Sequence, residues 1–267
     1  MREIHGDELK VLQLNVLSAV HRFCSSHQIK YSLGCGTMLG CARHHGYIPW
    51  DDDIDIYLLR SDYNKLIEEF PNTLEGHYRF VTMERDCKWN RAYGKIFDTR
   101  TVMKEATSEC YELGVNIDVF PIDNVPDDED EWLRYDKSRR RLQHVYEMKV
   151  TSFRRGRALS KNMFLAMCKL ILLPFSSRYL ARRIQSQALR YDRRESTRVF
   201  ECCQGLFHKH PFQKSLFDNL TMMPFEDREY MAFADYDEYL TNGYGNWRQL
   251  PPADKQVSHH AFKAWWK

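Results

Sequence analysis

Hydrophobic and polar residues follow two different periods along this chain. Near the N-terminus, Leu9, Leu12, Val16 and Val20 fall on one side of a helix. The segment IKYSLGCGTMLGCARHHGYIPW then predicts a strand, a Gly-rich turn and a short helix, and DIDIYLLR predicts a second strand. Behind Ser61, a plausible N-cap, DYNKLIEEF predicts a helix that packs against this second strand.

The remaining chain divides into strand-like and helical parts. Short runs rich in aromatic and β-branched residues predict strands that extend the same sheet: His77–Met83, Ala92–Phe97, Thr101–Lys104 and Val115–Phe120. From 127 to 198, longer charged and apolar periods predict two to four helices. We therefore expect one domain over residues 1–267 of the α/β (α+β) class. Its mixed-sheet core with flanking helices comprises about 1–126 and 199–267, and 127–198 forms a basic helical insertion.

The most apolar stretch is Met163–Phe175, MFLAMCKLILLPF. It is shorter than the ~20 residues that a membrane-spanning helix needs, and Lys169 interrupts it. A buried helix is the simplest interpretation. The alternative is a helix that rests on a membrane surface, because basic residues flank the stretch on both sides: Arg154, Arg155, Arg157, Arg178, Arg182 and Arg183.

Charge and cysteine content narrow the function classes. The chain has 39 Lys+Arg and 37 Asp+Glu, a net charge of +2, so no global field favours a nucleic acid. The N-terminus lacks the basic start and apolar run of a secretory signal, which predicts a cytoplasmic protein. Eight Cys without CxxC pairs predict reduced thiols that are mostly buried; a zinc site is the alternative, formed by Cys202, Cys203, His208 and His210.

The segment WDDDIDI carries the clearest chemical signal. On a strand, Asp51, Asp53 and Asp55 would point to one face. Three carboxylates on one face repel one another unless a cation lies among them, and hard oxygen ligands suit Mg²⁺ or Mn²⁺ bound to substrate phosphates. A second acidic strand, VNIDVFP, could bring Asp118 alongside as a further ligand or as a general base.

Groups that bind phosphate surround this acidic strand in the sequence. The turn LGCGTMLG places backbone N–H groups and a helix N-terminus near an anion, which makes Gly36 and Thr37 candidate phosphate contacts. Cations that could neutralise phosphate charge are Arg43, followed by His44 and His45, and Lys95.

Several segments resemble the LicD family of phosphocholine transferases, which includes the fukutin and fukutin-related ribitol-phosphate transferases. They are GCGTMLGCARHHGYIPWDDDIDIYLLRSDYNKL, KIFDTRT, GVNIDVFPIDNVP, YDEYLTNGYGNW and LPPADKQVSHH, so the resemblance covers about residues 29 to 260. It implies a nucleotidyltransferase-type core, a cytidine-diphosphate-linked alcohol as donor, and metal ligation by Asp53 and Asp55.

The expected reaction is metal-dependent transfer of phosphocholine from CDP-choline to a hydroxyl of a cell-surface glycan or lipid-linked glycan, with release of CMP. Teichoic acid, lipopolysaccharide and capsule precursors remain open as acceptors, and the cytoplasmic protein could contact the inner face of the plasma membrane. A choline headgroup calls for an aromatic cage. Candidates for it are Tyr47, Trp50, Tyr244, Trp247 and Trp265, and His259 and His260 are candidate phosphate contacts.

Three alternatives remain open. The same chemistry could use CDP-ribitol, CDP-glycerol or a CDP-phosphonate donor. The Gly-turn and Asp-x-Asp plan also occurs in nucleotidyltransferases that use nucleoside triphosphates. A non-catalytic binding module is the third alternative, although the intact carboxylates Asp51, Asp53, Asp55 and Asp118 speak against it.

Overall fold

The computed structural model of the protein describes residues 2–104, 111–153, 158–204, 210–257 and 263–267. The helices in this part are α1 Gly6–Ser26, α2 Cys35–His44, α3 Arg60–Glu69, α4 Glu129–Val150, α5 Leu159–Ile171, α6 Ser177–Ala188 and α7 Tyr236–Tyr244. The strands are β1 Glu3–Ile4, β2 Ser32–Leu33, β3 Asp55–Leu59, β4 Tyr78–Val81, β5 Gly94–Asp98, β6 Thr101–Lys104, β7 Asn116–Asn124, β8 Arg198–Phe200, β9 Phe212–Gln213, β10 Leu220–Phe225, β11 Arg228–Phe233 and β12 Lys263–Trp266.

A seven-stranded mixed sheet forms the centre of the fold. Its main path is β2-β3-β7-β5-β4, and β8 and β9 continue from the far end of β7. Strands β3 and β7 are parallel, whereas the other pairs of this sheet are antiparallel. Helices flank the sheet and three of them lie between β7 and β8 in the chain, so the predicted α+β class with a helical insertion is confirmed.

Strand β6 does not extend this sheet, contrary to the prediction. It lies in a separate three-stranded sheet of order β1-β12-β6, where Thr101 is paired with Trp266. A tight turn redirects the chain after β5, because the Thr101 hydroxyl donates to the Asp98 carbonyl at 2.8 Å and the Arg100 N–H donates to the Asp98 carboxylate at 2.9 Å. The partner strand comes from the other end of the sequence, so local patterning does not reveal it.

The sequence predicts the buried side of the first helix correctly and the start of the third helix incorrectly. In α1, Leu9, Leu12, Val16 and Val20 are all buried, as their spacing predicts. Helix α3 begins at Arg60, so Ser61 lies in its first turn and the predicted N-cap is wrong.

Three helices occupy the predicted helical segment. Asp128 caps α4 by accepting the Glu131 N–H, and Ser176 caps α6 by accepting the Tyr179 N–H. Helix α5 covers the first part of the predicted stretch Met163–Phe175 and ends at Ile171. It is not a buried helix: Leu165 is buried, whereas Leu170 and Ile171 are 67% and 65% exposed. No helix in the part of the chain that the structure describes is long and apolar enough to cross a membrane.

The cysteines in the described ranges are free thiols, as the sequence predicts. Cys202 and Cys203 are buried, and their sulfur atoms lie 3.3 Å from the Tyr135 hydroxyl and 3.9 Å from the Asp123 carboxylate. These contacts give both thiols a packing role. His208, one member of the alternative zinc site, falls outside the described residues.

Candidate active site

A turn, and not a strand, presents the first carboxylates. The Asp51 N–H donates to the Ile48 carbonyl at 2.8 Å, with Pro49 in the second position of the turn, where its fixed φ is favourable. Strand β3 therefore begins only at Asp55, and the predicted alternation from Asp51 onward is wrong. The turn and the residues after it nevertheless gather Asp51, Asp52 and Asp53, whose carboxylate oxygens lie within 4.8 Å of one another. Alternation on a strand would have excluded Asp52 from this cluster.

Strand pairing places a second row of charges on one face of the sheet. Asp55 of β3 is the register partner of Asp118 of β7, and Asp118 is the partner of Lys95 of β5. Directly paired residues share a face. The Lys95 Nζ lies 2.6 Å from the Asp118 Oδ1 and donates to the Asn116 Oδ1 at 3.1 Å. The sequence correctly predicts Asp118 beside Asp55, whereas the contact of Lys95 with Asp118 is visible only in the structure.

The electrostatics of this row favour a bound cation. Asp55 is 8% exposed, and burial raises the pKa of its carboxyl well above the ordinary 3.8, helped by the negative charges of Asp53, Asp118 and Asp51. Lys95 opposes this rise. A divalent ion would relieve the repulsion, and an all-carboxylate donor set is one that Mg²⁺ or Mn²⁺ accepts. The residues present therefore fit the implied metal.

The Gly-rich turn holds these carboxylates in place. The Gly34 N–H donates to the Asp55 carbonyl at 2.9 Å, and the Asp55 N–H donates to the Thr37 hydroxyl at 2.9 Å. A Cβ on Gly36 would lie 2.6 Å from the Asp51 Oδ2, so only glycine lets this carboxylate approach α2 so closely. The contacts of Gly36 and Thr37 with a phosphate stay predictions, whereas their support of the acidic cluster is visible.

Two tyrosines that sequence reasoning missed support this turn. The Tyr239 hydroxyl accepts the Cys35 N–H at 2.9 Å, and the Tyr57 hydroxyl lies 2.8 Å from the Cys35 sulfur. Cys35 has a φ of 41°, which is unusual for a residue with a side chain, and these contacts hold it there. The available signal was the position of Tyr57, two residues after Asp55 and therefore on the same face of β3.

The predicted cations at the end of α2 have protein partners. The Arg43 guanidinium donates to the Trp247 carbonyl at 2.7 Å and to the His44 Nε2 at 3.0 Å. Burial lowers the pKa of Arg43, and burial together with the Arg43 charge lowers the pKa of His44. These contacts join α2 to the loop after α7, and the use of either side chain as a phosphate clamp stays a prediction.

The predicted aromatic residues separate into two groups. Tyr244 is half-buried at the end of α7. Burial raises the pKa of its hydroxyl well above 10.0, and Cys35, Tyr239, Asp55 and Asp51 add to the rise. Trp50 is half-buried, with its ring 6.4 Å from the His44 ring. Trp247 is buried beneath Arg248, whose guanidinium carbon lies 4.2 Å from the ring centroid.

The other two aromatic candidates are a buried side chain and a residue of the small sheet. Tyr47 is buried and donates to Gln13 at 3.1 Å, and Trp265 belongs to the small sheet. Tyr244 and Trp50 are thus the better placed members of a cage. His259 and His260 lie outside the described residues.

A cavity opens beside the acidic cluster on the side of the small sheet. Its volume is about 460 Å³, within the range of small-molecule sites. Both signs of charge line it, from Lys10 and Lys263 on one hand and Asp52 and Glu3 on the other. The Gln13 Nε2 donates to the Asp52 carbonyl at 2.8 Å and so ties the acidic loop to α1 at this cavity.

Comparisons with known proteins agree with this geometry. A family profile described as "LicD/FKTN/FKRP, nucleotidyltransferase domain" matches residues 28–160, a range that contains the Gly-rich turn, the acidic cluster and β7. The lipopolysaccharide cholinephosphotransferase LicD of Haemophilus influenzae is 28% identical over 272 aligned positions, which cover 99% of this chain and 99% of that protein. An uncharacterised protein of Rickettsia prowazekii is 30% identical over 42% of this chain and 41% of its own length, and one of Rickettsia typhi is 36% identical over 27% of this chain and 24% of its own length. The end-to-end alignment and the profile match place this chain in the LicD family.

Proposed function

We infer that this protein is a phosphotransferase that moves phosphocholine from CDP-choline to a hydroxyl of a cell-surface glycan, with CMP as leaving group and with Mg²⁺ or Mn²⁺ as cofactor. Enzymatic transfer of a substituted phosphate is the activity of the family member to which the chain aligns end to end. The donor, the metal and the acceptor are our proposal.

One observation carries this proposal most directly. Asp55 and Asp118 are paired across parallel strands, and Asp51, Asp52 and Asp53 gather in the loop that leads into β3. Such a concentration of carboxylates has no evident structural use without a cation, since burying like charges together is costly. A nucleoside diphosphate brings its own negative charge and is commonly held through a divalent ion.

A divalent metal would be held by Asp53 and Asp55 with Asp51 or Asp52 beside them, and it would neutralise charge on the donor diphosphate. The acceptor hydroxyl attacks the phosphorus that bears choline, and the bond between this phosphorus and the CMP oxygen breaks in line. Asp118 or Asp51 accepts the hydroxyl proton. Lys95 fixes the Asp118 carboxylate at 2.6 Å, so the protein contributes mainly orientation and electrostatic stabilisation.

The headgroup and the acceptor use different parts of the site. Tyr244 and Trp50 are the candidate faces for the quaternary ammonium, whose attraction to each ring is about 0.5–2 kcal/mol. The cavity beside Asp52 is our candidate for the acceptor glycan, because its lysine and carboxylate side chains supply donors and acceptors for sugar hydroxyls. The comparison favours a lipopolysaccharide-type glycan over a teichoic acid as acceptor.

Thermal unfolding tests the donor and the metal together. A ligand that binds only the folded state stabilises it by about 2.7 kcal/mol at a concentration of a hundred Kd. We expect CDP-choline to raise the melting temperature with Mg²⁺ present and not in EDTA, and CDP-ribitol, CDP-glycerol and CTP to have little effect.

The matched control is Asp53→Asn, which preserves shape and removes one charge from the cluster. It should abolish the metal-dependent shift while the unliganded protein unfolds cooperatively. A shift for CDP-ribitol or CDP-glycerol alone would replace the donor, a shift for CTP alone would favour a nucleotidyltransferase, and the absence of any shift would favour a binding module.

A further inference from the structure

Helix α5 presents a continuous apolar face outside the core. Leu159, Met163, Phe164, Met167, Leu170 and Ile171 are each more than half exposed. Their separations of one, three and four residues place all six on one side of the helix. Leu173 and Phe175, in the turn that follows, are 67% and 42% exposed and extend the surface. We call these eight side chains the α5 apolar face; single exposed apolar residues are ordinary, but a cluster of this size marks a binding surface.

Helix α5 is held with this face outward. The Lys169 ammonium donates to the Lys149 carbonyl at 2.8 Å, and the Lys149 ammonium donates to the Leu172 carbonyl at 3.1 Å. These two hydrogen bonds join the C-terminal end of α5 to the C-terminal end of α4. The apolar side chains therefore remain exposed because the opposite side of α5 is the one fixed to the protein.

The segment that carries this face has charges of one sign. Residues 148–191 contain ten Lys or Arg and no Asp or Glu, in a chain whose totals of 39 Lys+Arg and 37 Asp+Glu nearly cancel. Lys161 on α5 and Arg182, Arg183 and Arg190 beyond it are exposed. An apolar helix face with a surrounding cationic field is complementary to a lipid surface that combines acyl chains with anionic headgroups.

A second copy of the chain fits this face less well. Two such faces in contact would bring together two segments that each carry ten cations and no carboxylate. Like charges across an interface are strongly unfavourable. Among the described residues, no part of the chain itself covers the α5 apolar face, since Leu165 is the residue of α5 that is buried.

We propose that the α5 apolar face docks this protein on an anionic lipid bilayer, with α5 lying in the plane of the headgroups and the exposed cations Lys161, Arg182, Arg183 and Arg190 contacting lipid phosphates. Docking of this kind would hold the enzyme where lipid-linked glycans are displayed. The inference rests on α5 and its charges and does not depend on which nucleotide-linked donor the site uses.

Vesicle sedimentation without nucleotide tests the proposal. The full chain should bind vesicles of phosphatidylcholine mixed with phosphatidylglycerol, bind pure phosphatidylcholine vesicles much more weakly, and lose affinity as salt is raised. The double variant Leu170→Gln/Ile171→Gln should bind the anionic vesicles at least about tenfold more weakly, because two large side chains can no longer be buried. The double variant Arg182→Glu/Arg183→Glu should lose the preference for anionic vesicles.

The matched control is Val11→Gln/Leu133→Gln, which changes two apolar side chains on other helices that are 53% and 55% exposed. It should bind vesicles like the parent chain. Equal binding by the parent and the Leu170/Ile171 variant would overturn the proposal, and so would failure of the parent to bind anionic vesicles. A parent dimer in solution that this variant converts to a monomer would instead make the face a self-association surface.

Discussion

At the scale of single residues, the site depends on carboxylates that the protein holds close together against their repulsion. Asp55 is the most constrained of them, because it is buried, its N–H is bound by Thr37, and its register partner is another aspartate. Its raised pKa means that the folded protein binds a proton at this carboxylate more readily than the unfolded chain does.

This shift gives the metal-free protein a defined pH dependence. Because the folded-state pKa of Asp55 is raised above 3.8, the stabilising contribution of its proton is complete below that pH and is lost as the pH rises toward the raised value. In EDTA, the melting temperature of Asp55→Asn should therefore increase relative to the parent as the pH is raised. Mg²⁺ should stabilise the parent and leave Asp55→Asn unchanged, and parallel melting curves across the pH range would contradict this account.

Thr37 provides a second test at this scale. Thr37→Val keeps the shape of the side chain and leaves the buried Asp55 N–H without its acceptor, which should cost about 1–3 kcal/mol of unfolding free energy. Thr37→Ser retains the hydroxyl and should restore both stability and turnover. Denaturant unfolding and initial rates measure the two effects, and equal behaviour of Val and Ser variants would exclude the positioning role.

At the scale of secondary-structure elements, the parallel pair β3–β7 is the frame of the site. A buried ion pair stabilises β7 at the end that lies away from Asp118: the Arg60 Nε, at the start of α3, lies 2.7 Å from the Asp123 Oδ1 in β7. Both side chains are almost inaccessible, with exposed fractions of 5% and 0%. The pair therefore ties α3 to the end of β7 opposite Asp118.

Breaking this pair should be much more damaging than breaking a surface pair. Asp123→Ala leaves a buried guanidinium without its carboxylate, and we expect a loss of about 3–5 kcal/mol in denaturant unfolding. Arg22→Ala removes the exposed contact with Glu75, where the side chains are 60% and 41% exposed, and should cost at most about 1 kcal/mol. Similar losses for both variants would show that the buried pair does not fix the frame.

The elements also show how far the sequence could be interpreted. Apolar periodicity identifies α1, and the acidic strand patterns predict that Asp55 and Asp118 meet, because both signals are local and repeated. Periodicity also predicts a helix that overlaps α5. It does not predict what covers this helix, since the sequence is equally apolar whether protein or lipid lies against it. The start of β3 and the partner of β6 depend on a turn at Pro49 and on a strand from the other end of the chain, which no local pattern contains.

At the scale of the whole molecule, the acidic site and the positive charge lie in different parts of the chain. The sheet and the Gly-rich turn gather the carboxylates and Lys95, while the segment 148–191 carries only positive charges and the α5 apolar face. The chain is nearly neutral in total, so its electrostatic behaviour comes from this separation of charge and not from the net value of +2.

The most direct test of the central claim is release of CMP from CDP-choline in the presence of a lipopolysaccharide acceptor, with transfer of labelled choline to the glycan measured in parallel. We predict that the parent chain transfers phosphocholine with Mg²⁺ and not in EDTA. Asp53→Asn should retain its fold and lose at least about a hundredfold in rate, as expected when a group that stabilises the transition state is removed. Metal-independent transfer, or full transfer by a folded Asp53→Asn protein, would contradict the assignment of the carboxylate cluster as the catalytic centre.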